Sequence, residues 1–219
     1  MTKKTTIYDI ATALNITAAT VSRALNDNAR ISKNTRELVL ATATKMNYKQ
    51  NKLALALKSG KSKNVGVVVP YINRNFFSSI IRGIEDELYP KGYHVIISQT
   101  HEDNDREIKV IQNLLNAQVD GILISSSQSN AENSNFESLT KKNTPVIFFD
   151  RKLDIPNVSS VTIDDYQGGY DATKHLIDQG CKKIAHLNVN NGLEIYKNRL
   201  QGYKDALSDH HMNFNPDYV

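Results

Sequence analysis

Cysteine and long apolar runs are nearly absent from this sequence. Cys181 is its only cysteine, which excludes an intrachain disulfide or a metal site built from several cysteines and suits a reducing compartment. No uninterrupted apolar run approaches the ~20 residues that a membrane-spanning helix needs. The N-terminus has Asp9 and several threonines where a secretory signal would be apolar. These absences predict a cytoplasmic protein with no membrane partner.

The short motifs of common enzyme classes are also missing. There is no Walker loop, no GxGxxG fingerprint, no nucleophile elbow and no HExxH motif. The six histidines do not have the spacing of metal ligands. The residues therefore predict no catalytic site, no metal and no cofactor.

Acidic residues are scarce at the start of the chain. Residues 1–61 contain 11 Lys and Arg against Asp9, Asp27 and Glu37, a net charge of +8. Because the whole chain carries +4, the remainder carries −4. A basic module on an acidic body is typical of a protein that binds a polyanion, since cationic side chains displace counterions from phosphates. The alternative is an ordinary solvated basic face.

Three short helices are predicted in this basic segment. Thr6 and Asp9 have the spacing of a capping box, and apolar residues follow at helical intervals. Thr17 is expected to cap a second helix and Ser32 to start a third. The inward residues are predicted to be Val21, Ala24 and Leu25 on the second helix and Leu38, Val39, Thr42 and Met46 on the third. This pattern predicts a helix-turn-helix module, with a plain three-helix packing module as the alternative.

The second helix lies within "ITAATVSRALND" (16–27) and suits the floor of the DNA major groove. Ala18 and Ala19 are small enough to contact thymine methyl groups, and Arg23 can donate twice to guanine. Hydroxyl groups can donate to phosphates, which fixes the position of the protein without reading sequence. These hydroxyl groups belong to Thr17, Thr20 and Ser22.

The segment "NKLALALKSGKSKN" (51–64) contains a short helical pattern that Asn51 can cap. A helix of this length is marginal in water, because isolated helices below about 12 residues rarely persist. We therefore expect it to become ordered only with a partner. A linker helix packed on the body is the alternative.

Beyond Asn64, strand patterns alternate with amphipathic helices. The predicted strands are "NVGVVVP", "YHVIISQT", "VDGILISSS", "TPVIFFDRK", "SSVTIDD" and "KKIAHLNV", with helices such as "FFSSIIRGIEDELYPKG" and "DREIKVIQNLLNAQ" between them. This alternation predicts an α/β body with a parallel sheet covered on both faces. Ligands of such sheets bind beyond the carboxyl ends of the strands. The predicted ends carry amides, carboxylates and two aromatic side chains, a set suited to a polyhydroxylated ring.

The N-terminal motifs resemble the lactose-repressor/galactose-repressor family of bacterial transcription regulators. The resemblance rests on "TIYDIATALNITAATVSRALND", "TRELV", "MNYKQN" and "NVGVVVP" and continues to about Tyr203. It implies a repressor that binds a pseudo-palindromic DNA operator as a homodimer and responds to a small carbohydrate-like effector. It also implies an all-α helix-turn-helix domain followed by a periplasmic-binding-protein-like body.

The resemblance also assigns roles to DNA-contacting residues. Ala18, Ala19 and Arg23 match base readers, whereas Thr20, Ser22 and Asn26 match backbone or groove-edge contacts. Two hinge helices would pair, and Leu57, with Ala54 beside it, would wedge into the minor groove and kink the duplex. The full set expected to contact DNA is Thr6, Thr17, Ala18, Ala19, Thr20, Ser22, Arg23, Asn26, Asn51, Ala54 and Leu57.

For the body, "INRNFF", "FFDRK", "TIDD" and "NRLQGY" resemble the sugar-contacting segments of related periplasmic sugar-binding proteins. The implied effector contacts are Asn73, Phe76, Phe77, Asp150, Arg151, Asp164 and Arg199. A helix cap or a surface ion pair is the alternative role for each carboxylate. For the whole chain, the alternative function is a cytoplasmic sugar sensor that does not bind DNA.

We expect four regions along the chain. These are a helix-turn-helix domain (1–47), a hinge helix and linker (48–63), a first effector-binding lobe (64–160) and the start of a second lobe (161–219). The body of the family has two lobes joined by three crossings, and only one crossing is expected here. The second lobe is therefore expected to be incomplete, as in a fragment or a truncated gene, and sugar binding to be weak.

Overall fold

The computed structural model describes residues 5–50, 56, 60–127, 144–189 and 192–219. The chain divides into two compact units, Met1–Leu55 and Ala56–Val219. No helix in the described part of the chain is long and apolar enough to cross a membrane.

The N-terminal unit contains three helices, α1 (Ile7–Leu14), α2 (Ala18–Leu25) and α3 (Lys33–Lys45). Each begins after the predicted cap residue, because the hydroxyl of Thr6, Thr17 or Ser32 accepts a hydrogen bond from a backbone N–H in the first turn. The capping box of Thr6 and Asp9 is complete. The predicted helix-turn-helix arrangement is confirmed.

The core of this unit lies where the three helices meet. Ile10, Val21 and Val39 are fully buried there, one from each helix. The prediction that Leu38 faces inward is wrong, since Leu38 is 54% exposed and Ala43 is buried instead. Val39, Ala43 and Met46 follow one another at i, i+4 and i+7, so they share the face that contacts the other helices.

The second unit is built on a parallel five-stranded sheet of order β2-β1-β3-β4-β5. Its strands are β1 (Asn64–Val69), β2 (His94–Gln99), β3 (Gly121–Ile124), β4 (Val146–Phe149) and β5 (Ser159–Val161). Its helices are α4 (Asn75–Leu88), α5 (Asn104–Asn116), α6 (Asp165–Asp178) and α7 (Glu194–Asp209), with short 3-10 turns at Tyr89–Lys91 and Pro216–Tyr218. The predicted α/β body with a parallel sheet is confirmed.

Apolar clusters lie on both faces of the sheet. Val68 of β1 packs on the face covered by α5, with Ile111 and Leu114. Its neighbour Val67 packs on the opposite face with Ile81 of α4. Successive residues of a strand point to opposite faces, and here both faces are covered, which explains the unbroken valine run of β1.

The last predicted strand is absent. Residues 182–189 ("KKIAHLNV") are described and form no strand. A strand needs a hydrogen-bonded neighbour, and no described strand runs beside this segment. Ile184 packs instead against Tyr203 and Leu207 of α7. In the described residues that follow β5, the helices α6 and α7 pack against each other and are flanked by loops.

Candidate functional site

The exposed face of α2 is slim and carries one cationic side chain. Ala19 and Arg23 are exposed, whereas Val21 and Ala24 on the opposite face are buried. Within the described residues, no ion pair or hydrogen bond engages the Arg23 guanidinium. This arrangement leaves all five of its N–H donors available for a ligand.

Hydroxyl groups cluster at the N-terminus of α2. The Thr17 hydroxyl accepts from the Thr20 backbone N–H at 3.1 Å, and the two threonine hydroxyls are 2.9 Å apart. An anion is favoured at a helix N-terminus, because backbone N–H groups point outward there. The predicted phosphate contacts Thr17 and Thr20 therefore lie at a suitable place. Ala18 and Ser22 are half-buried, and Ala18 packs against the core of this unit.

Asn26 already has partners for its amide group. Its Nδ2 donates to the Ser22 carbonyl at 2.7 Å, and its Oδ1 accepts from Gln50 Nε2 at 3.1 Å. Asn26 thus ties the end of α2 to the chain that follows α3. Gln50 could not be identified as a partner from the sequence, because the two residues are 24 positions apart.

Thr6 also has a local role. Its hydroxyl donates to Asp9 Oδ2 at 2.7 Å, and its backbone N–H donates to the same oxygen at 2.8 Å. Thr6 is exposed, so its predicted DNA contact stays a prediction. Asn51, Ala54 and Leu57 lie outside the described residues.

A second candidate site lies at the carboxyl ends of the strands in the body. Asp150 follows β4 with φ of 60°, and its Oδ2 accepts from the Ser125 hydroxyl at 3.2 Å. Arg151 is buried, and its Nη1 donates to Glu102 Oε2 at 2.7 Å. Arg151 Nε lies 3.7 Å from Asp150 Oδ2 and has no hydrogen-bond partner. The two predicted residues of "FFDRK" therefore lie in one network of charges.

Burial sets the electrostatics of Asp150. Loss of water around its carboxyl group raises the pKa above the usual 3.8, and the neighbouring Arg151 guanidinium opposes that rise. Asp165 raises the pKa further, and Arg199 lowers it. The charges of Arg151, Asp165 and Arg199 therefore all act on the Asp150 carboxyl group.

Arg199 joins the site through a residue that the sequence analysis did not single out. Its Nε donates to Asp165 Oδ1 at 2.7 Å, which links α7 to the start of α6. Asp150, Arg151, Asp165 and Asn198 line the same small pocket. Carboxylates and guanidinium groups that converge in this way can bind the hydroxyl groups of a polyol.

Four other predicted effector contacts are placed differently. Phe77 is 6% exposed and packs in the core of the sheet, with Phe76 edge-on to it at 5.1 Å between ring centroids. Phe76 and Asn73 are exposed. Asp164 caps α6, where its Oδ1 accepts from the Gln167 N–H at 2.9 Å. The helix-cap alternative thus describes Asp164, which does not line the pocket of Asp150.

Sequence reasoning also missed Glu107, a fully buried carboxylate in the first turn of α5. It accepts from the Ser126 hydroxyl at 3.0 Å and from the Ser127 backbone N–H at 2.6 Å. These bonds fix the chain directly after β3, next to Ser125 and the Asp150 network. A glutamate that interrupts the apolar face of a helix was the available signal.

Two family models match the chain. The model described as "Bacterial regulatory proteins, lacI family" matches residues 6–51. The model described as "Periplasmic binding proteins and sugar binding domain of LacI family" matches residues 62–217. The two matches fall on the helix-turn-helix unit and on the α/β body, respectively.

The curated relatives are regulators. The chain is 35% identical over 215 residues to catabolite control protein A of Priestia megaterium, a match that covers 98% of this chain and 64% of that protein. It is 32% identical over 205 residues to the ribose operon repressor of Halalkalibacterium halodurans, covering 94% of this chain and 60% of that protein. The chain therefore spans a little under two thirds of the length of these relatives.

Solved structures are similar as well. Transcription regulator CcpA of Lactococcus lactis has a TM-score of 0.63 at 32% identity, covering 71% of this chain and 57% of that one. A regulator from Alkaliphilus metalliredigens, complexed with D-xylulofuranose, has a TM-score of 0.60 at 30% identity, covering 69% and 54%. The lac repressor dimer bound to operator and the anti-inducer ONPF has the same fold, with a TM-score of 0.80 at 24% identity over 96% of this chain and 64% of that one. With both units matched by their models, the chain belongs to the LacI family of bacterial regulatory proteins.

Proposed function

We propose that this chain is the operator-binding and effector-binding part of a transcriptional repressor that acts as a homodimer on pseudo-palindromic DNA. The observation that carries the proposal is the exposed face of α2, where the unpaired Arg23 stands beside the small Ala19. A helix of this shape reaches the floor of the major groove, and a guanidinium group binds two acceptors of guanine there. The net charge of +8 on residues 1–61 favours the approach to DNA.

The proposed division of the chain follows the predicted one. Residues 1–47 bind DNA, 48–63 form the hinge and linker, 64–160 form the first lobe, and 161–219 begin the second. The boundary between the two compact units, after Leu55, falls inside the proposed hinge. This position supports a role for 48–63 in coupling DNA binding to the body.

The proposed effector is a small polyhydroxylated molecule bound at Asp150, Arg151 and Arg199. The pocket lined by Asp150 and Arg151 offers carboxylate acceptors and guanidinium donors close together. The D-xylulofuranose complex of the Alkaliphilus regulator supports a sugar as the ligand class. The named relatives are a repressor and regulators, which supports regulation of transcription and not catalysis.

Selection from a random duplex library tests DNA binding. The 219-residue chain should enrich a palindromic sequence with a guanine at equivalent positions of both halves. Arg23→Ala should relax the preference at that position. Arg82→Ala is the matched control. Arg82 is exposed on α4, and its replacement removes the same charge from the other unit.

The outcome separates repressor from sensor. If no sequence is enriched, and if deletion of residues 1–61 leaves sugar binding unchanged, the chain is a sensor that does not bind DNA.

Effector binding is measured by NMR-detected titration with pentoses, hexoses and purines, since a partial second lobe predicts weak affinity. The backbone resonances of Asp150 and Arg151 should shift with a ligand, and a silent panel contradicts the proposed effector class.

A further inference from the structure

The chain that enters β1 is fastened to the body by one carboxylate. Asp120, just before β3, accepts at Oδ1 from the Ser62 backbone N–H at 2.6 Å and from the Ser62 hydroxyl at 2.9 Å. Its Oδ2 accepts from the Lys63 N–H at 3.1 Å. Three donors from two consecutive residues thus bind a single side chain that lies 57 or more positions away. We call this arrangement the Asp120 clamp.

Neighbouring contacts fix the direction of the clamped chain. The Lys63 carbonyl accepts from the His94 N–H at 2.8 Å, and the Lys63 ammonium group lies 4.2 Å from the centre of the Tyr93 ring. Gly60 and Lys63 have φ of 68° and 59°, so the chain turns sharply on both sides of Ser62. A left-handed lysine is uncommon and persists only where surrounding contacts hold it. The clamp provides these contacts.

A second fastening lies at the other end of the linker. Gln50 is bound to Asn26 of the N-terminal unit through their amide groups. The linker between the two units is therefore bounded by Gln50 on one side and by Ser62 on the other. The Gln50–Asn26 bond lies within the first unit and the Ser62–Asp120 bonds lie within the second. Each therefore determines where the linker leaves its unit.

We propose that Asp120 is a positioning residue for operator binding: it fixes the point and direction in which the linker leaves the body. The proposal rests on the proposed function. In a dimer, binding of the second half-site is intramolecular, and its strength depends on how the linker presents the second DNA-binding unit. When Ser62 and Lys63 are released from Asp120, the linker can leave the body in more directions, and the second DNA-binding unit is presented in more orientations. It lowers affinity for the full palindrome and leaves the contacts with each half-site unchanged.

Hydrogen exchange tests the clamp itself, with the 219-residue chain and no DNA. Asp120→Asn keeps the shape of the side chain but replaces one acceptor oxygen with an NH₂ donor, so either the Ser62 donors or the Lys63 N–H lose their acceptor. At least one of the amides of Ser62 and Lys63 should exchange about tenfold faster, because losing one hydrogen bond costs a free energy that corresponds to about that factor. Asp86→Asn is the control, because Asp86 is exposed on α4 and carries the same charge. Unchanged exchange at both amides overturns the clamp.

Fluorescence anisotropy then tests the link to DNA, with the palindrome from the selection experiment and a duplex that carries one half-site. Asp120→Asn should lose about tenfold in affinity for the palindrome, because re-ordering even one freed residue on binding costs about that much. Its affinity for the single half-site should equal that of the unaltered chain. Ser62→Ala removes the hydroxyl that donates to Asp120 and accepts from the Asn64 N–H at 3.2 Å, but it keeps both backbone bonds to Asp120. It should therefore give a smaller loss in the same direction.

The outcomes separate the two proposals. Faster exchange combined with an unchanged ratio of full-site to half-site affinity overturns the positioning role. An equal loss on both duplexes also overturns it, because general destabilisation would act on both. If the unaltered chain binds neither duplex, the proposed function is wrong and the positioning role with it, while exchange still decides whether the clamp exists.

Discussion

Arg199 and Asp165 form a hydrogen-bonded ion pair between α7 and α6, with 2.7 Å between Nε and Oδ1. The Asp165 side chain is 7% exposed, whereas that of Arg199 is 40% exposed. A buried carboxylate needs a partner to offset its loss of water, and Arg199 provides that partner through one nitrogen. Asp165 and the neighbouring Asn198 line the pocket of Asp150, so this ion pair lies at the edge of that site. The residue implied as an effector contact thus also stabilises the fold of that site.

The first prediction concerns base reading by Arg23. Arg23→Ala should weaken operator binding by about 1 to 3 kcal/mol, because two hydrogen bonds to guanine are lost. The loss should disappear when that guanine is replaced, since the variant no longer reads it. Competition binding with the selected operator and its single-base variants measures both effects. An equal loss on every sequence would show that Arg23 contacts a phosphate instead.

The second prediction concerns the buried Glu107. Glu107→Gln should lower the free energy of unfolding of the body by about 1 to 3 kcal/mol, because an NH₂ donor replaces one of the two carboxylate oxygens that accept from Ser126 and Ser127. Urea denaturation followed by circular dichroism measures the change. Glu85→Gln, at an exposed position of α4, should leave the midpoint unchanged. Equal midpoints for the two variants would show that Glu107 contributes nothing to stability.

Local features of this fold could be predicted from the sequence. Helix caps depend on residues three positions apart, so Thr6, Thr17 and Ser32 were identifiable without a structure. The parallel sheet followed from apolar strands that alternate with helices. The exposure of Leu38 could not be predicted, because the apolar residues of α3 fit either of two neighbouring helix faces. Only packing against the other helices determines which face is buried.

Long-range pairs could not be predicted in this way. Glu102 contacts Arg151 across 49 positions, and Asp165 contacts Arg199 across 34. The sequence around Glu102 or Asp165 looks like that around any acidic residue on a protein surface. The strand prediction for residues 182–189 was wrong for a related reason, since a β-rich pattern becomes a strand only where a neighbouring strand is available. Sequence therefore indicated the charged residues at strand ends but not which of them pair.

The third prediction concerns pH and Asp150. Burial raises the pKa of this carboxyl group above 3.8 in the folded chain, so the folded state binds the proton more tightly than the unfolded state. The cost of burying the charge is thus absent below the unfolded pKa and grows as pH rises through the folded pKa. Asp150→Asn should consequently stabilise the chain at pH 7, with a gain that shrinks as pH falls and is absent below pH 3.8.

Urea denaturation of Asp150→Asn and of the unaltered chain, at several pH values, measures this difference. Asp86→Asn is again the control, because an exposed carboxylate should show no such pH dependence. A gain for Asp150→Asn that is the same at every pH would show that charge burial is not its cause. A loss at pH 7 would show that the ion pair with Arg151 outweighs burial.

The last prediction concerns the close contact of α6 and α7, which holds Arg199 next to Asp165. At Gly202, an added Cβ would overlap the Tyr166 carbonyl oxygen and lie 2.7 Å from the Tyr170 nitrogen, both backbone atoms of α6. Backbone cannot move aside as a flexible side chain can, so Gly202→Ala should destabilise the helix pair by about 1 to 3 kcal/mol or more. Gly168 is the matched control on α6, since nothing lies within 4 Å of its added Cβ. Gly168→Ala should therefore stabilise by roughly 0.5 to 1 kcal/mol, the usual gain for alanine over glycine within a helix. Hydrogen exchange of the α6 and α7 amides should accelerate in the first variant and slow in the second, and equal protection in the two would contradict the close packing of these helices.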